Sequence, residues 1–396
     1  MNPRLELLQP YPFEKLRGLM QGVTGNSALA PISLSVGEPR HPTPKFIQDE
    51  WHQQVQGLSH YPTTQGSESL RASISQWIKK RFSVSHIDPN ANIIPTLGSR
   101  EALFSVIQVL INSETDKKFV ICPNPFYQIY EGAALLAGAT PYFVNADPVS
   151  HQVDYSSIDQ TVLQKTAVVF VCSPGNPTGK VMNLSEWKTL FELSDQYQFT
   201  IVSDECYSEI YPEESNPPMG ALSACQLLGR DRFDRLVVMS SLSKRSNVPG
   251  MRSAFAAGDA VIIKSFLLYR TYHGSAMNPV IQKVSELAWQ DEQHVIENRR
   301  LYREKFTVFY DIVNDSLALE KPEAGFYYWI KTPIDDVLFT QQLFANYHIQ
   351  VLPGSVLARQ HASINPGYQR VRVALVGSME ETREAAQRIK EFVTQL

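Results

Sequence analysis

In the middle of the chain, short apolar runs alternate with segments whose apolar residues recur at helical spacing. Uniformly apolar runs of this length are typical of strands that are covered on both faces. The pattern predicts strands at residues 118–122, 140–144, 167–172, 200–203, 236–240 and 253–257. It predicts helices between them at residues 99–112, 127–137 and 184–197, the last with an N-terminal capping pair of Asn183 and Glu186. Strands that alternate with helices predict an α/β fold with a mostly parallel sheet between two helical layers.

After about residue 285 the pattern changes to an α+β type. A long charged helix is predicted first, and a mixture of strands and helices follows it, at residues 291–314, 326–330, 336–348, 349–352 and 370–376 and from Met379 onwards. We therefore expect three parts. They are an N-terminal segment (1–45) that packs with the small domain or a partner subunit, a large domain (46–290), and a small C-terminal domain (291–396) that begins with the long helix.

Composition and charge narrow the class of protein. Of the 396 residues, 43% are hydrophobic and 19% are charged, which is ordinary for a folded globular protein. The formal net charge of −4 argues against nucleic acid and anionic membrane surfaces as partners. Four well-separated cysteines and nine histidines without ligand spacing predict free thiols and no metal site. With no secretion signal or membrane span in the sequence, we expect a cytoplasmic protein.

Lys244 is the first residue with evident chemistry. It follows the strand predicted at 236–240, within Ser-Leu-Ser-Lys-Arg-Ser-Asn-Val-Pro-Gly-Met-Arg (241–252). A lysine amine becomes a nucleophile where desolvation or nearby cations lower its pKa. The hydroxyls around it and the arginine at the end of this segment suit a phosphate-bearing aldehyde. A lysine, a phosphate cradle and an acid at the ring nitrogen are what pyridoxal 5′-phosphate requires.

Other polar residues follow predicted strands, where open α/β sheets bind ligands. Asp204 follows the strand at 200–203 and could keep a pyridine nitrogen protonated, or could cap a helix. Asn176, in Ser-Pro-Gly-Asn-Pro-Thr-Gly, could donate to the phenolic oxygen of the ring, or could belong to a plain loop. Tyr207 could hydrogen-bond the same oxygen. Tyr127 could lie against the ring face, or could be an ordinary buried aromatic residue.

A phosphate seat and a carboxylate site complete the candidate set. Ser99 and Arg100 open a predicted helix after a glycine, where free N–H groups and the helix dipole attract phosphate, although simple capping gives the same pattern. Ser241 and Arg252 can close this cradle. Arg372 interrupts an apolar strand. Because a buried arginine is costly unless it is paired, it either meets a carboxylate within the protein or binds a substrate carboxylate.

Together these residues resemble the class I/II aminotransferases, which are fold-type-I enzymes that use pyridoxal 5′-phosphate. The resemblance begins at Val36-Gly37-Glu38-Pro39 and ends at Arg372. It implies a large domain with a mostly parallel seven-stranded sheet and a smaller α+β domain. It also implies that Lys244 is the Schiff-base lysine and moves the proton at the substrate α-carbon. The cofactor-binding positions that the resemblance implies are Ser99, Arg100, Tyr127, Asn176, Asp204, Tyr207, Ser241 and Arg252.

The resemblance also implies substrate and subunit contacts. Gly37, Asn176 and Arg372 match positions that bind the substrate carboxylate. Tyr61 matches a tyrosine that reaches the phosphate from the other subunit, which implies a homodimer with shared active sites. Where the family usually has Gly-Glu-Pro-Asp-Phe, this chain has Gly-Glu-Pro-Arg-His, so Arg40 and the histidine after it depart from the family pattern. We take Arg40 as a candidate partner for a distal substrate carboxylate.

Residues 1–17 and 243–253 resemble bacterial succinyldiaminopimelate aminotransferases, a subgroup of that family. This resemblance implies amino transfer between glutamate/2-oxoglutarate and N-succinyl-2-amino-6-oxopimelate, on the route to diaminopimelate and lysine. The alternatives are an aminotransferase for aspartate, aromatic or branched substrates and a C–S lyase. A non-catalytic regulatory module is not expected, because no basic helix-turn-helix pattern precedes residue 45 or follows residue 380.

Overall fold

The computed structural model describes all 396 residues, with strands that form one large sheet and two small ones. The strands are β1 (Ile32–Ser33), β2 (Ile93–Thr96), β3 (Phe119–Asn124), β4 (Thr140–Asn145), β5 (Thr166–Cys172), β6 (Thr200–Asp204), β7 (Leu236–Ser241), β8 (Ala254–Gly258), β9 (Tyr327–Lys331), β10 (Ile349–Gln350), β11 (Leu352–Pro353) and β12 (Arg370–Ala374).

The α-helices are α1 (Pro12–Leu19), α2 (Lys45–Gln53), α3 (Glu68–Phe82), α4 (Ser99–Leu110), α5 (Ile129–Leu136), α6 (Gln160–Gln164), α7 (Leu184–Tyr197), α8 (Ala221–Leu227), α9 (Leu242–Arg245), α10 (Ala260–His273), α11 (Pro279–Gln290), α12 (Gln293–Val313), α13 (Asp336–Tyr347) and α14 (Met379–Thr394). The capping pair predicted for α7 is present: the Asn183 side chain accepts from the Glu186 N–H at 3.1 Å, and the Glu186 carboxylate accepts from the Asn183 N–H at 2.7 Å. No helix is long and apolar enough to cross a membrane.

The large sheet has seven strands in the order β2-β8-β7-β6-β5-β3-β4, and only the pairs that include β8 are antiparallel. The predicted α/β class with a mostly parallel seven-stranded sheet is therefore confirmed. All six strands predicted from the apolar pattern are present, within one or two residues of the expected ends. The pattern missed β2, which is four residues long and contains Pro95. Proline lacks an N–H for the ladder and is tolerated at a sheet edge, which is where β2 lies.

Two apolar clusters cover the two faces of this sheet. Successive residues of β5 alternate between them: Val169 packs in the cluster with helices α3, α7 and α11, whereas Phe170 packs in the cluster with α4, α5 and α10. This alternation follows from the two-residue repeat of a strand, and it explains why the strands are apolar throughout. The sheet is thus fixed by packing on both sides, and its strand ends are held in place.

The C-terminal part has its own core between α12, α13, α14 and the antiparallel sheet β11-β12-β9. Ile32 and Leu34 join this core, and β1 pairs in parallel with β10. The single strand expected at 349–352 is two strands, because the chain turns from pairing with β1 to pairing with β12 at Val351. The boundaries at residues 45 and 290 stay a prediction, which the separate cores support.

Candidate active site

A cavity of about 880 Å³ lies at the carboxyl ends of β6 and β7, facing the sheet of the C-terminal part. This is the edge at which parallel sheets bind ligands. The structure brings eleven of the twelve predicted site residues to its walls: Gly37, Ser99, Arg100, Tyr127, Asn176, Asp204, Tyr207, Ser241, Lys244, Arg252 and Arg372.

Lys244 lies in α9, the single helical turn that follows β7. Its Nζ donates to the carbonyl oxygen of Gly37 at 2.6 Å and lies 5.4 Å from the centre of the Phe326 ring. Burial, with a contribution from the Arg372 guanidinium, lowers the pKa of the Lys244 ammonium to about 8. A substantial fraction of the side chain is therefore a neutral, nucleophilic amine just above neutral pH.

Asp204 ends β6 and is 4% exposed. Its carboxylate accepts from the Tyr130 hydroxyl at 2.9 Å and from the Cys206 N–H at 3.3 Å. Burial raises the pKa of Asp204, and the hydrogen bonds from Cys206 and Tyr130 oppose that shift. The alternative in which Asp204 caps a helix is wrong, because a turn follows it and α8 begins only at Ala221.

Asn176 and Tyr207 lie on the side of the cavity that β9 and β12 cover. The Asn176 Oδ1 accepts from Arg372 Nη1 at 2.9 Å, which leaves its NH₂ group for a ligand. The Tyr207 and Tyr327 hydroxyls lie 3.0 Å apart and are both buried. The Asn176 and Tyr207 side chains both line the cavity, and each can donate a hydrogen bond to a ring oxygen of a bound cofactor.

The N-terminus of α4 forms the predicted phosphate seat. Gly98 precedes it with φ +93°, a backbone conformation that favours glycine, and its Cα lies close beneath the Arg252 guanidinium. The Ser241 hydroxyl lies 2.8 Å from that of Ser243 at the same end of the cavity. The Arg100 Nε donates to the Tyr127 hydroxyl at 2.7 Å, and the expected contact of Arg100 with the cofactor stays a prediction.

Arg372 is 4% exposed and lies in the middle of β12. It donates to two neutral oxygens, the side chain of Asn176 at 2.9 Å and the carbonyl of Ser35 at 2.8 Å, while its Nε has no partner. Its guanidinium lies 4.4 Å from the centre of the Tyr327 ring. A Cβ on Gly37 would lie 1.9 Å from the Tyr327 hydroxyl, so glycine at this position lets the backbone lie close against the Tyr327 ring. Arg372 meets no carboxylate within the protein, so the alternative in which it forms an internal ion pair is wrong.

Tyr61, the twelfth predicted site residue, and Arg40, the candidate for a distal carboxylate, lie outside the cavity. Tyr61 is fully exposed at 103%, so its contact with a second subunit stays a prediction. Arg40 forms an exposed ion pair with Glu381 at 3.6 Å and does not line the cavity, which leaves the distal-carboxylate position to another side chain.

Two residues in direct contact with the site were missed. Tyr130 lies three residues after Tyr127, and in the helix predicted at 127–137 this spacing would place both on one face, which could have indicated it, although α5 begins only at Ile129. Tyr327 lies in the aromatic run 326–329, where nothing in the sequence distinguishes the ring that faces the cavity. The contacts that these two tyrosines make with Asp204, Tyr207 and Arg372 depend on tertiary packing.

The residues present fit the cofactor that the resemblance implies. A buried carboxylate, a partly buried amine and a glycine-lined seat with hydroxyls and a guanidinium suit a ring nitrogen, an aldehyde and a phosphate. Asp204, Lys244 and the start of α4 would hold these three groups.

Comparisons with known proteins agree with this arrangement. The family model Aminotransferase class I and II matches residues 30–389. The chain is 30% identical to an LL-diaminopimelate aminotransferase of Aquifex aeolicus, over 99% of this chain and 98% of the relative. An aminotransferase structure from Neisseria meningitidis has a TM-score of 0.96 at 48% identity and covers 99% of this chain and 100% of its own. The aminotransferase AspB from Helicobacter pylori has a TM-score of 0.91 at 33% identity, covering 98% and 100%. The chain belongs to the class I and II aminotransferases, whose cofactor is pyridoxal 5′-phosphate.

Proposed function

We propose that this aminotransferase moves an amino group between glutamate/2-oxoglutarate and a keto acid with a distal carboxylate, N-succinyl-2-amino-6-oxopimelate. One observation carries the proposal: besides Arg252 at the expected phosphate seat, two further guanidinium groups, those of Arg372 and Arg100, line the same cavity. Arg372 has only neutral partners. Arg100 is held through its Nε by Tyr127, and its two Nη groups make no hydrogen bond within the protein. A substrate with a carboxylate at each end supplies a partner for both.

The printed name of one relative supports the same substrate class. The relative from Aquifex aeolicus is an LL-diaminopimelate aminotransferase, and diaminopimelate carries a carboxylate at each end. The N-terminal residues and the segment around Lys244 resemble the subgroup whose substrate carries a succinyl group as well. Because glutamate and the keto acid use one cavity in turn, the group that binds the far carboxylate must serve both.

Each side chain then has a defined task. Arg372 binds the α-carboxylate and orients the Cα–H bond. The Lys244 amine takes the proton from the α-carbon and returns it during transfer, for which a pKa of about 8 is well suited. Asp204 would hold a proton at the ring nitrogen of the bound cofactor, and Asn176 and Tyr207 would donate to its phenolic oxygen. The bound cofactor supplies the electron sink that makes the α-proton acidic.

We also propose a cytoplasmic homodimer with shared active sites. The exposed Tyr61 ring supports this proposal, because an aromatic side chain at 103% exposure is available to a partner. The 3₁₀ helix Pro3–Leu7 presents further exposed apolar side chains, including Leu5 and Leu7. All four cysteines are free, as expected for a reducing compartment.

A steady-state screen with glutamate as donor tests the substrate. We expect kcat/KM for N-succinyl-2-amino-6-oxopimelate to exceed that for phenylpyruvate and for branched keto acids. Arg100→Gln should raise KM for the dicarboxylate about tenfold or more, because a charge-assisted contact is lost, and should leave KM for phenylpyruvate nearly unchanged. Equal use of aromatic acids, or an Arg100→Gln variant that loses both activities equally, would refute the proposal.

A further inference from the structure

A partly buried chain of polar contacts connects Lys244 to the long helix α12. The Asn298 Nδ2 donates to the carbonyl oxygen of Lys244 at 3.3 Å, and its Oδ1 accepts from His41 Nδ1 at 2.7 Å. The other ring nitrogen of His41, Nε2, lies 2.5 Å from Lys305 Nζ. Asn298 and Lys305 are 2% and 3% exposed and His41 is partly buried, so these contacts are partly shielded from water. His41 ends the segment that begins at Gly37, whose carbonyl accepts from the Lys244 amine.

The hydrogen bonds determine which tautomer of His41 fits. Because the Asn298 amide donates through Nδ2 to Lys244, its Oδ1 is an acceptor and His41 Nδ1 must carry a hydrogen. His41 Nε2 then has a lone pair that accepts from Lys305. If both side chains were charged, an N–H of the ring would face the ammonium at 2.5 Å. The pair can therefore hold only one positive charge while the contact is intact.

The surrounding groups favour a neutral ring. Burial lowers the pKa of His41, and Lys305 lowers it further. Burial also lowers the pKa of Lys305, to about 8, and Glu381 on α14 opposes that shift. Glu297 on α12 opposes the lowering of the His41 pKa. Arg40, next in the chain to His41, is paired with Glu381 at 3.6 Å. No carboxylate lies within salt-bridge distance of Lys305.

Packing connects the same contact to the cavity wall. On α12, Asn298, Tyr302 and Lys305 lie at helical spacing on one face. The Tyr302 ring centre lies 4.5 Å from that of His41 and 5.5 Å from that of Phe326, the ring below the Lys244 amine. A displacement of His41 therefore shifts the segment that begins at Gly37. Through Tyr302 it also shifts the Phe326 ring below the Lys244 amine.

We propose that the contact between His41 and Lys305 is a proton-sensitive lock that positions the segment from Gly37 to His41 for binding the substrate carboxylate. With a neutral ring the lock is closed, and Asn298 holds the segment against the turn of Lys244. When the pair binds a second proton, a charged imidazolium faces a charged ammonium, and their repulsion breaks the contact. Affinity for an amino-acid carboxylate then falls as the pH falls below the pKa of His41.

Two readouts on the cofactor-loaded protein test the lock between about pH 8 and about pH 5, a range that spans the ordinary histidine pKa of about 6.5. In nuclear magnetic resonance spectra of ring-labelled protein, the His41 signal is the one that His41→Phe removes. We expect it to report a neutral ring with hydrogen on Nδ1, and Lys305→Met should raise its titration midpoint by roughly one to three pH units.

The second readout is the glutamate concentration that half-bleaches the cofactor absorbance. In the natural protein it should rise by up to roughly tenfold for each pH unit below the pKa of His41, the limit for one linked proton. His41→Phe keeps a ring against Tyr302 but has no proton to gain, and Lys305→Met leaves a protonated ring without a facing cation. Both variants should lose this rise.

His294→Phe is the matched control. This histidine also lies on α12 and is buried, but its Nε2 faces the Ser246 hydroxyl at 2.8 Å rather than an ammonium. It should keep the natural pH dependence. A natural pH dependence in Lys305→Met or His41→Phe, or an unchanged titration of His41 in Lys305→Met, would overturn the lock. The inference rests on the proposed function only through glutamate as the probe. A protein that glutamate does not bleach, but in which Lys305→Met shifts the His41 titration, counts against the proposed function alone.

Discussion

Arg372 and Arg299 offer a direct comparison between an arginine kept for a ligand and one kept for stability. Both residues are 4% exposed. Arg299 is paired within the protein, with Glu214 at 2.8 Å and with Glu209 at 3.5 Å. Arg372 meets only the amide oxygen of Asn176 and a main-chain carbonyl. Replacement of each by methionine keeps much of the side-chain volume and removes the charge.

The expected changes in the free energy of unfolding differ for the two variants. Arg299→Met removes charge-assisted hydrogen bonds to Glu214, which costs about 1.5–3 kcal/mol. Glu209 keeps Arg81 as a partner at 2.8 Å, and Glu214 keeps Arg303 at 2.6 Å. Arg372→Met loses two hydrogen bonds of about 1.5–3 kcal/mol each, but it also removes an unpaired buried charge whose desolvation costs several kcal/mol. Because these contributions have opposite signs and similar size, the stability should stay within about 1 kcal/mol of the natural protein.

Substrate affinity should change in the opposite order. Removal of one partner of a buried charge pair costs about 2–5 kcal/mol, so Arg372→Met should weaken glutamate binding roughly 30- to 4000-fold at 1.4 kcal/mol per factor of ten. Arg299→Met should bind glutamate normally while it is folded. Urea unfolding and the glutamate concentration for half-bleaching measure both quantities. If Arg372→Met lost stability like Arg299→Met and bound glutamate normally, Arg372 would be a structural residue.

Three further predictions concern the same cavity. Tyr130→Phe removes a hydrogen bond to the Asp204 carboxylate, a bond that opposes the raised pKa of Asp204. The free energy of unfolding of the cofactor-free protein should therefore fall by about 1.5–3 kcal/mol near pH 7. The loss should be smaller at acid pH, where the carboxyl is protonated in the folded and the unfolded state. Urea unfolding at two pH values tests this, with Tyr155→Phe, whose hydroxyl donates only to a main-chain carbonyl, as a control that should lose the same amount at both. In the cofactor-free protein, trinitrobenzenesulfonate should modify Lys244 with a midpoint at about pH 8, as followed by peptide mass spectrometry, and a midpoint above pH 10 would contradict its lowered pKa. Finally, Tyr61→Ala and Lys244→Ala proteins, each poorly active alone, should regain activity when their subunits are exchanged, because one site of the mixed dimer is intact; no recovery in a confirmed mixed dimer would mean that Tyr61 does not act across subunits.

Much of this architecture could be predicted from the sequence because its determinants are local. The strands from β3 to β8 are apolar on both faces, and α7 carries its own capping pair. The hydrophobic pattern and the capping residues therefore predict where these elements begin and end. Lys244, Asp204 and Asn176 follow strands, and the rule that ligands bind at strand ends brings them together. The edge strand β2 was missed because it has only four residues, one of them a proline, and so shows no recognisable hydrophobic pattern of a strand.

The contacts that were missed depend on pairing between distant segments. Tyr327 reaches Tyr207 because β9 of the C-terminal part packs over the large sheet, 120 residues further along the chain. Arg40 was expected in the cavity, but α14 supplies Glu381 as its partner outside. The partner of His41 lies 264 residues away on α12. Hydrophobic periodicity relates only residues that are close in the sequence, so contacts between such distant residues can be identified only in the folded structure.

The cofactor absorbance of the purified protein, followed through two half-reactions, tests the central claim most directly. Glutamate alone should bleach it, and N-succinyl-2-amino-6-oxopimelate added afterwards should restore it about 100-fold more efficiently than phenylpyruvate, because Arg100 and Arg372 are then both paired. Lys244→Ala should show neither change. Bleaching that only aromatic or branched keto acids reverse would contradict the proposed substrate, and full turnover in Lys244→Ala would contradict the mechanism itself.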